Sequence, residues 1–322
     1  MRSRKHLPHP PHPVTRQQPL PGDTPLTPEG NPETASQQRT IMANPSYRVP
    51  DHDISFIHGP DTVAVRLQLD YLKAELALRE ANIRHAVVVF GSTRLREPAV
   101  ALKELEQAEA HLKLHTDDLQ AQSALKAAQQ KMELSRYYEV GRELGRRVAE
   151  ASQQQGENCL VVMTGGGPGA MESANRGAAE AGGRTVGLNI TLPHEQYPNP
   201  FVTPGLCFQF HYFAMRKLHF LHRAVALVAL PGGFGTLDEL SDALTLVQTR
   251  KIAPMPIVLV GETWWRQALN MDFLLESGMI DPEDLDLFWY AESAEEAWDS
   301  IVAWHHDNGS DIFDGNPGAG YL

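Results

Sequence analysis

Residues 224–240 read AVALVALPGGFGTLDEL, and the fold turns on this stretch. Seven apolar residues in a row, 224–230, predict a strand buried on both faces. Pro231 ends it, because proline cannot donate to a sheet ladder. Gly232, Gly233 and Gly235 follow, and a helix is expected from Thr236, with Asp238 and Glu239 in its first turn. The first N–H groups of a helix lack intrahelical partners and carry partial positive charge, and glycines let the backbone approach an anion closely. An ordinary strand–helix turn reads the same way, so this turn alone does not settle the chemistry.

The design recurs upstream. Residues 164–172, TGGGPGAME, follow the apolar run 159–163 and place Gly165, Gly166, Gly167 and Gly169 before a helix carrying Glu172. On neighbouring parallel strands the two turns would face each other across one crevice, and open α/β sheets bind ligands at the carboxyl ends of their strands. A third small-residue turn, Gly91-Ser92-Thr93, closes the strand expected over 86–90.

Outward from these turns, strands alternate with helices. Strands are expected over 159–163, 184–190, 206–212, 256–260 and near 287–290. Helices are expected over 169–181, 213–222, 236–249, 263–277 and 294–304. The class implied is α/β: a Rossmann-like, doubly wound parallel sheet with helices on both faces. Two helical stretches, 99–114 and 117–151, with Thr116 as N-cap of the second, form an inserted hairpin at about 99–154, read as scaffold or subunit interface. Arg136, Tyr137 and Tyr138 on it are within conceivable reach of the site. Residues 1–45 hold most of the eleven prolines found in the first fifty residues, out of 23 in the chain, and are expected to be disordered. Met42 is an alternative start. Residues 46–83 read as an N-terminal helical extension with leucines at 67, 69, 72, 76 and 78, residues 84–305 as the α/β domain, and 306–322 as a frayed C-terminal tail.

Charge narrows the partners. The 322 residues carry a formal charge of −12; the first fifty hold six Lys or Arg against three Asp or Glu, so the remainder is more acidic still. That argues against nucleic acid and anionic membranes as partners, while a small phosphorylated ligand held by local N–H groups fits. No apolar run reaches membrane-spanning length, and the basic start lacks the apolar core of a secretory signal. Cys159 and Cys207 both lie in apolar runs and read as buried free thiols of a reducing, cytoplasmic compartment. The tail histidines His6, His9 and His12, with His52, offer no fixed geometry for a metal, and neither metal nor cofactor is expected.

Alternative chemistries fit less well. Gly165-x-Gly167-x-x-Ala170 has the dinucleotide spacing, yet it follows the second strand, and the next strand ends Leu188-Asn189-Ile190-Thr191 without the acid that would hold a ribose hydroxyl. Neither turn has the Gly-Lys-Ser/Thr of a Walker loop. Arg216 and Lys217 begin a helix that leads into the strand at 224, and Glu239 lies 23 residues beyond Arg216. The strand–turn unit could bring cation, carboxylate and phosphate cradle around one small molecule. A surface Arg-Lys pair and a Glu that merely complements a helix dipole remain the plainer reading of that spacing. His211, His219 and His222 read as surface or satisfied groups, Trp264 and Trp265 as core or interface, and Gly141-x-x-x-Gly145 as a site of close helix packing.

Pro231-Gly232-Gly233-Phe234-Gly235-Thr236-Leu237-Asp238-Glu239, with Arg216-Lys217 upstream, resembles the signature of the LONELY GUY (LOG) family, and Gly165 to Gly169 and Gly91-Ser92 match in place. The resemblance spans roughly residues 84–305. It implies a phosphoribohydrolase that cleaves the N-glycosidic bond of a nucleoside 5′-monophosphate, AMP or a cytokinin nucleotide, to free base and ribose 5-phosphate; members are often labelled lysine decarboxylases. It implies Arg216 and Glu239 as the catalytic pair. Gly91, Ser92, Gly165, Gly166, Gly167, Gly169, Lys217, Gly232, Gly233, Gly235 and Thr236 become the phosphate and ribose cradle. Asp238 stands where Glu is common in the family, and the hairpin and N-terminal helix are longer than in compact plant members. Exposed apolar helix faces suggest a homodimer or larger homo-oligomer. A non-catalytic nucleotide-binding module is the second reading. A pyridoxal phosphate decarboxylase, with Lys217 or Lys251 as Schiff-base lysine, is the third.

Overall fold

The computed structural model describes residues 32–155, 160–192, 197–310 and 312–313. The chain divides into two compact units after Val63. In the first, α1 (Pro32–Ala43) occupies part of the stretch expected to be unstructured. Short helical turns follow, including α2 (Ile54–Ile57), where the Asp53 side chain caps by accepting from the Phe56 N–H at 3.2 Å. Pro45, Pro50 and Pro60 each open a 3-10 turn. Proline is pre-set for a first helical position but breaks any helix that would run through it, so residues 44–62 cannot form one long helix.

The second unit takes in α3 (Val63–Glu80) from Ala64 onward and is built on a seven-stranded sheet. Its strands are β1 (His85–Phe90), β2 (Leu160–Thr164), β3 (Thr185–Ile190), β4 (Cys207–Phe210), β5 (Ala224–Ala229), β6 (Ile257–Val260) and β7 (Trp289–Ala291). Every pairing is parallel, in the order β4-β3-β2-β1-β5-β6-β7. The strands carrying the two glycine turns, β2 and β5, are therefore not neighbours as expected: β1 lies between them. The chain winds outward from β1 in both directions, so the crevice opens where the order reverses.

Alternate side chains of the central strands enter opposite cores. Val88 and Phe90 of β1, with Leu227 of β5 and Ile257 of β6, face one side. Val87 and Val89, with Val228 and Val258, face the other. Burial on both faces is why these strands read as continuous apolar runs rather than alternating ones. The first face is covered by α3, α8 (Phe213–His222), α9 (Phe234–Gln248) and α10 (Glu262–Ala268), whose Trp265 indole donates to the Ala229 carbonyl at 3.1 Å. α6 (Arg136–Gln154), α7 (Ala170–Glu180) and α12 (Ala294–Asp307) cover the second. A β-carbon built on Gly145 would lie 2.0 Å from the Ala174 carbonyl oxygen, so the Gly141-x-x-x-Gly145 spacing does let α6 press against α7.

Several boundaries differ from the expected ones. The segment between β1 and β2 is three helices: α4 (Pro98–Leu114) and α5 (Leu119–Leu134) pair as the hairpin, and α6 is the crossover helix of the fold. Ser135 joins α5 to α6, its hydroxyl turned back onto the Met132 carbonyl at 2.7 Å. Asp118, not Thr116, caps α5, accepting from the Gln120 N–H at 2.8 Å. The helix expected over 263–277 is α10 followed by α11 (Met271–Glu276), which the Asn270 side chain restarts. α12 runs to Asp307 and Ile312 is buried in the second core, so of the stretch expected to be frayed the described part, to residue 313, is partly packed; residues 314–322 lie outside the described residues. Cys207 is exposed on the edge strand β4 rather than buried, while Cys159 lies outside the described residues. No described helix is long and apolar enough to cross a membrane.

Candidate active site

A cavity of about 830 Å³ lies over the carboxyl ends of β1 and β5, in the size range of small-molecule sites. All three turns converge on it through backbone hydrogen bonds. The Ser92 N–H donates to the Pro231 carbonyl at 3.0 Å, and the Ser92 carbonyl accepts from the Ala170 N–H at 3.0 Å. Ser92, at the end of the intervening strand, thus ties both glycine turns together. Gly91, Ser92, Gly165, Gly232, Gly233, Gly235 and Thr236 line the cavity.

Two glycine positions have plain steric reasons. A β-carbon on Gly232 would fall 2.0 Å from Thr236 Oγ1, which is how closely the turn folds back on its helix. Gly169, just before α7, has φ +72° and packs against the Ser92 carbonyl, a backbone region L-residues rarely adopt. Gly166, Gly167 and Gly169 shape the second turn without lining the cavity, which alters their expected role from contact to support. A network that residue patterns did not reveal holds that turn. Asn199 Nδ2 donates to the Gly167 carbonyl at 3.0 Å and to Asn175 Oδ1 at 2.9 Å, and Thr164 Oγ1 accepts from the Gly166 N–H at 2.9 Å. Asparagines read as loop formers in isolation; only tertiary contact joins these two.

α9 starts at Phe234, two residues earlier than expected, so Glu239 sits in its second turn and points inward. The Arg216 Nη2 donates to Glu239 Oε1 at 2.8 Å across the 23-residue separation. Glu239 is 5% exposed, and burial pushes its carboxyl up from the ordinary value, against the opposing pull of Arg216 and Lys217. The guanidinium lies 5.0 Å from the Phe213 ring centre and 5.6 Å from that of Phe220, so aromatic faces fix its plane. Among the described residues its Nε has no hydrogen-bond partner. A buried carboxylate of raised basicity beside a guanidinium with a donor to spare can orient a water or steady developing positive charge.

Lys217 departs from its expected place. It turns away from the cavity to Asp238 at 2.8 Å and Asp242 at 3.1 Å. In its stead the walls carry Arg94, from the turn after β1, and Lys131, from α5. Among the described residues the lining cations are Arg94, Lys131 and Arg216; Lys131 is paired with Glu104 at 2.6 Å and Arg216 with Glu239 at 2.8 Å. Arg94 on the wall of an acidic protein's cavity suits an anionic ligand. Arg94 had no signal in the sequence beyond its nearness to Gly91. Leu192 lines the cavity, while residues 193–196 lie outside the described residues. Trp265 is buried as expected, but Trp264 lines the cavity. Tyr137 is buried in the second core and Tyr138 hydrogen-bonds Glu172, so neither they nor Arg136 reach the site. His219 is a core residue whose Nε2 donates to the Tyr71 carbonyl at 3.1 Å. No group of three or more described His, Cys, Asp or Glu residues is arranged to hold a metal ion.

Known proteins resemble this chain over the same ground. The model of the family described as "Possible lysine decarboxylase" matches residues 171–301. A rice protein named "Probable cytokinin riboside 5'-monophosphate phosphoribohydrolase LOGL5" is 30% identical over 138 residues, 41% of this chain and 54% of that protein. The Arabidopsis thaliana "Cytokinin riboside 5'-monophosphate phosphoribohydrolase LOG3" is 27% identical over 143 residues, 43% of this chain and 65% of its own length. The matched segments thus leave a third or more of each relative uncovered. Among solved structures, the Moco carrier protein from Chlamydomonas reinhardtii overlays 70% of this chain and 99% of its own, at 20% identity and a TM-score of 0.41, a likeness too loose to carry an argument about ligands.

Proposed function

With the resemblance to LONELY GUY (LOG) proteins borne out by these relatives, we propose that the chain hydrolyses the N-glycosidic bond of a nucleoside 5′-monophosphate, AMP or a cytokinin riboside monophosphate, to free base and ribose 5-phosphate. The observation that carries this reading is the pair of half-buried Arg216 and buried Glu239 on the wall of a cavity that also carries Arg94 and is rimmed by converging glycine turns. In the proposal the 5′-phosphate seats against the α9 N-terminus, where the turn at Gly232, Gly233 and Gly235 leaves the backbone bare and Thr236 adds a hydroxyl. Anchoring the phosphate away from the scissile bond lets its binding energy enforce geometry at the anomeric carbon. As the bond to the base lengthens, positive charge grows on the ribose; Glu239 stabilises it and orients or deprotonates the attacking water. Arg216 keeps Glu239 in place and offers its Nε to the substrate.

The test is to incubate the protein with AMP and follow free adenine and ribose 5-phosphate chromatographically, with adenosine as control. Base release from AMP and not from adenosine is the expected result; binding of AMP without release would make the chain a nucleotide-binding module instead. Decarboxylation through a Schiff base is disfavoured by lysine placement. Lys217 is tied to two carboxylates outside the cavity, Lys251 does not line it, and the lysine that does, Lys131, is paired with Glu104 at 2.6 Å. A homo-oligomer in the cytoplasm belongs to the same proposal. It is supported by the exposed stripe of Val65, Leu69, Leu72 and Leu76 along α3 and is checked by light scattering.

A further inference from the structure

The cavity has two walls of different origin. The glycine turn at 232–235, Arg216 and Glu239 lie inside the segment that the family model matches, residues 171–301. The facing wall belongs to the inserted hairpin, which lies outside it: Ala127, Gln130, Lys131 and Leu134 of α5 line the cavity. The spacing i, i+3, i+4, i+7 puts these four on one helical face. A hairpin that served only as scaffold would not need to aim such a face at the site.

Resting on the phosphoribohydrolase reading, we propose that α5 is the base-reading wall of the site and that Gln130 determines which nucleobase is accepted. The chemistry of the face supports this. Ala127 and Leu134 offer flat apolar contact to a ring. Lys131 is already engaged, its Nζ 2.6 Å from Glu104 Oε2, and Arg96 approaches the same carboxylate at 3.4 Å. Gln130 is left as the uncharged polar group of the face, exposed on the cavity side. An amide presents one donor edge and one acceptor edge, which complement the N7 acceptor and N6 amino donor of a 6-aminopurine; a cation in the same place would instead suit the two acceptors, O6 and N7, of a 6-oxopurine. The shared segment then supplies bond cleavage and phosphate capture, and the insertion supplies selectivity.

The experiment compares wild type, Gln130→Leu and Gln130→Lys on AMP and GMP. It reads base release as kcat/KM and binding by calorimetry, with adenosine and guanosine as controls for 5′-phosphate dependence. Gln130 is exposed, so neither change threatens folding. The proposal expects wild type to prefer AMP by about tenfold or more, Gln130→Leu to erase most of that ratio, and Gln130→Lys to move it toward GMP. The requirement for the 5′-phosphate should persist in all three. An AMP-to-GMP ratio within twofold of wild type in both variants, or a wild type indifferent to the base, overturns the role given to α5 while leaving hydrolysis intact. A wild type that neither binds nor cleaves any nucleoside monophosphate overturns the functional reading itself.

Discussion

Two arginine–glutamate pairs, each with a buried carboxylate, stand at opposite ends of α8, and they behave differently. Arg216, in its first turn, reaches Glu239; Arg223, just past its end, reaches Glu75 on α3; both N–O distances are 2.8 Å. At Glu239 burial wins and the carboxyl rises above its ordinary value. At Glu75 burial also pushes upward, but the hydrogen bond and charge of Arg223, helped by His222 and His219, outweigh it and hold the carboxyl low. Glu75 also accepts from Arg79 at 3.2 Å, and Arg223 Nε donates to the Ile83 carbonyl at 3.1 Å, so this carboxylate is held by two arginines. The other pair borders the cavity. The same two residue types at the same distance thus hold one carboxyl below its ordinary value and leave the other above it. The surroundings decide which, since desolvation and pairing nearly cancel in such pairs.

The comparison is broken most easily at the Glu75 end. Glu75→Ala should strip Arg223 of its counter-charge and cost about 3–5 kcal/mol in urea unfolding. A loss below 1 kcal/mol would show that this pair is no more structural than the other. Glu239→Gln should do the reverse: nucleotide binding persists, unfolding free energy shifts by about 1 kcal/mol or less, and turnover falls a hundredfold or more, about 3 kcal/mol. Near-normal turnover would remove Glu239 from the mechanism.

Acid titration sharpens the contrast further. His219 packs against Tyr71, its ring centre 5.0 Å away, and burial together with the charge of Arg223 lowers its pKa from 6.5 to about 4. A group with a depressed folded pKa contributes stability that is complete above its unfolded pKa and is lost as pH falls through the folded one. His219 should therefore cost up to about 3 kcal/mol of stability between pH 6.5 and 4, and Glu75 should take over below its unfolded value of 4.5. Melting temperature measured across pH 7 to 4 should fall in wild type and stay flatter in His219→Gln; parallel curves would exclude His219 as the cause. The smallest effect is expected at Lys217. With its ammonium spent on Asp238 and Asp242 at the surface, Lys217→Met should change stability by less than about 1 kcal/mol and KM for AMP by less than about twofold.

How much could be read without coordinates varied by residue. The run 224–230 and the twin glycine turns were legible because strand burial and turn geometry are local: a β-strand buried on both faces must be apolar throughout, and a tight turn before a helix must use glycine. Arg216 and Glu239 could be paired because one strand and one turn separate them, a distance that a single supersecondary unit bridges. Lys217 was misplaced by the same logic, since neighbours on a helix point about 100° apart and only one of them can face the cavity.

Residue order alone therefore determined the α/β class and the glycine turns, products of short-range periodicity and backbone sterics, while the roles expected of Arg216 and Glu239 came from the resemblance to LOG proteins. Tertiary structure alone decided that β1 runs between the two turns and joins them through Ser92, that Asn175 and Asn199 brace the second turn, and that α5 faces the site. It also decided which of the two carboxylates is held low. Each of those depends on which surfaces meet across the fold, and the free energy of a buried charge is set by the neighbours that exclude water from it, not by the residues adjacent to it in the chain.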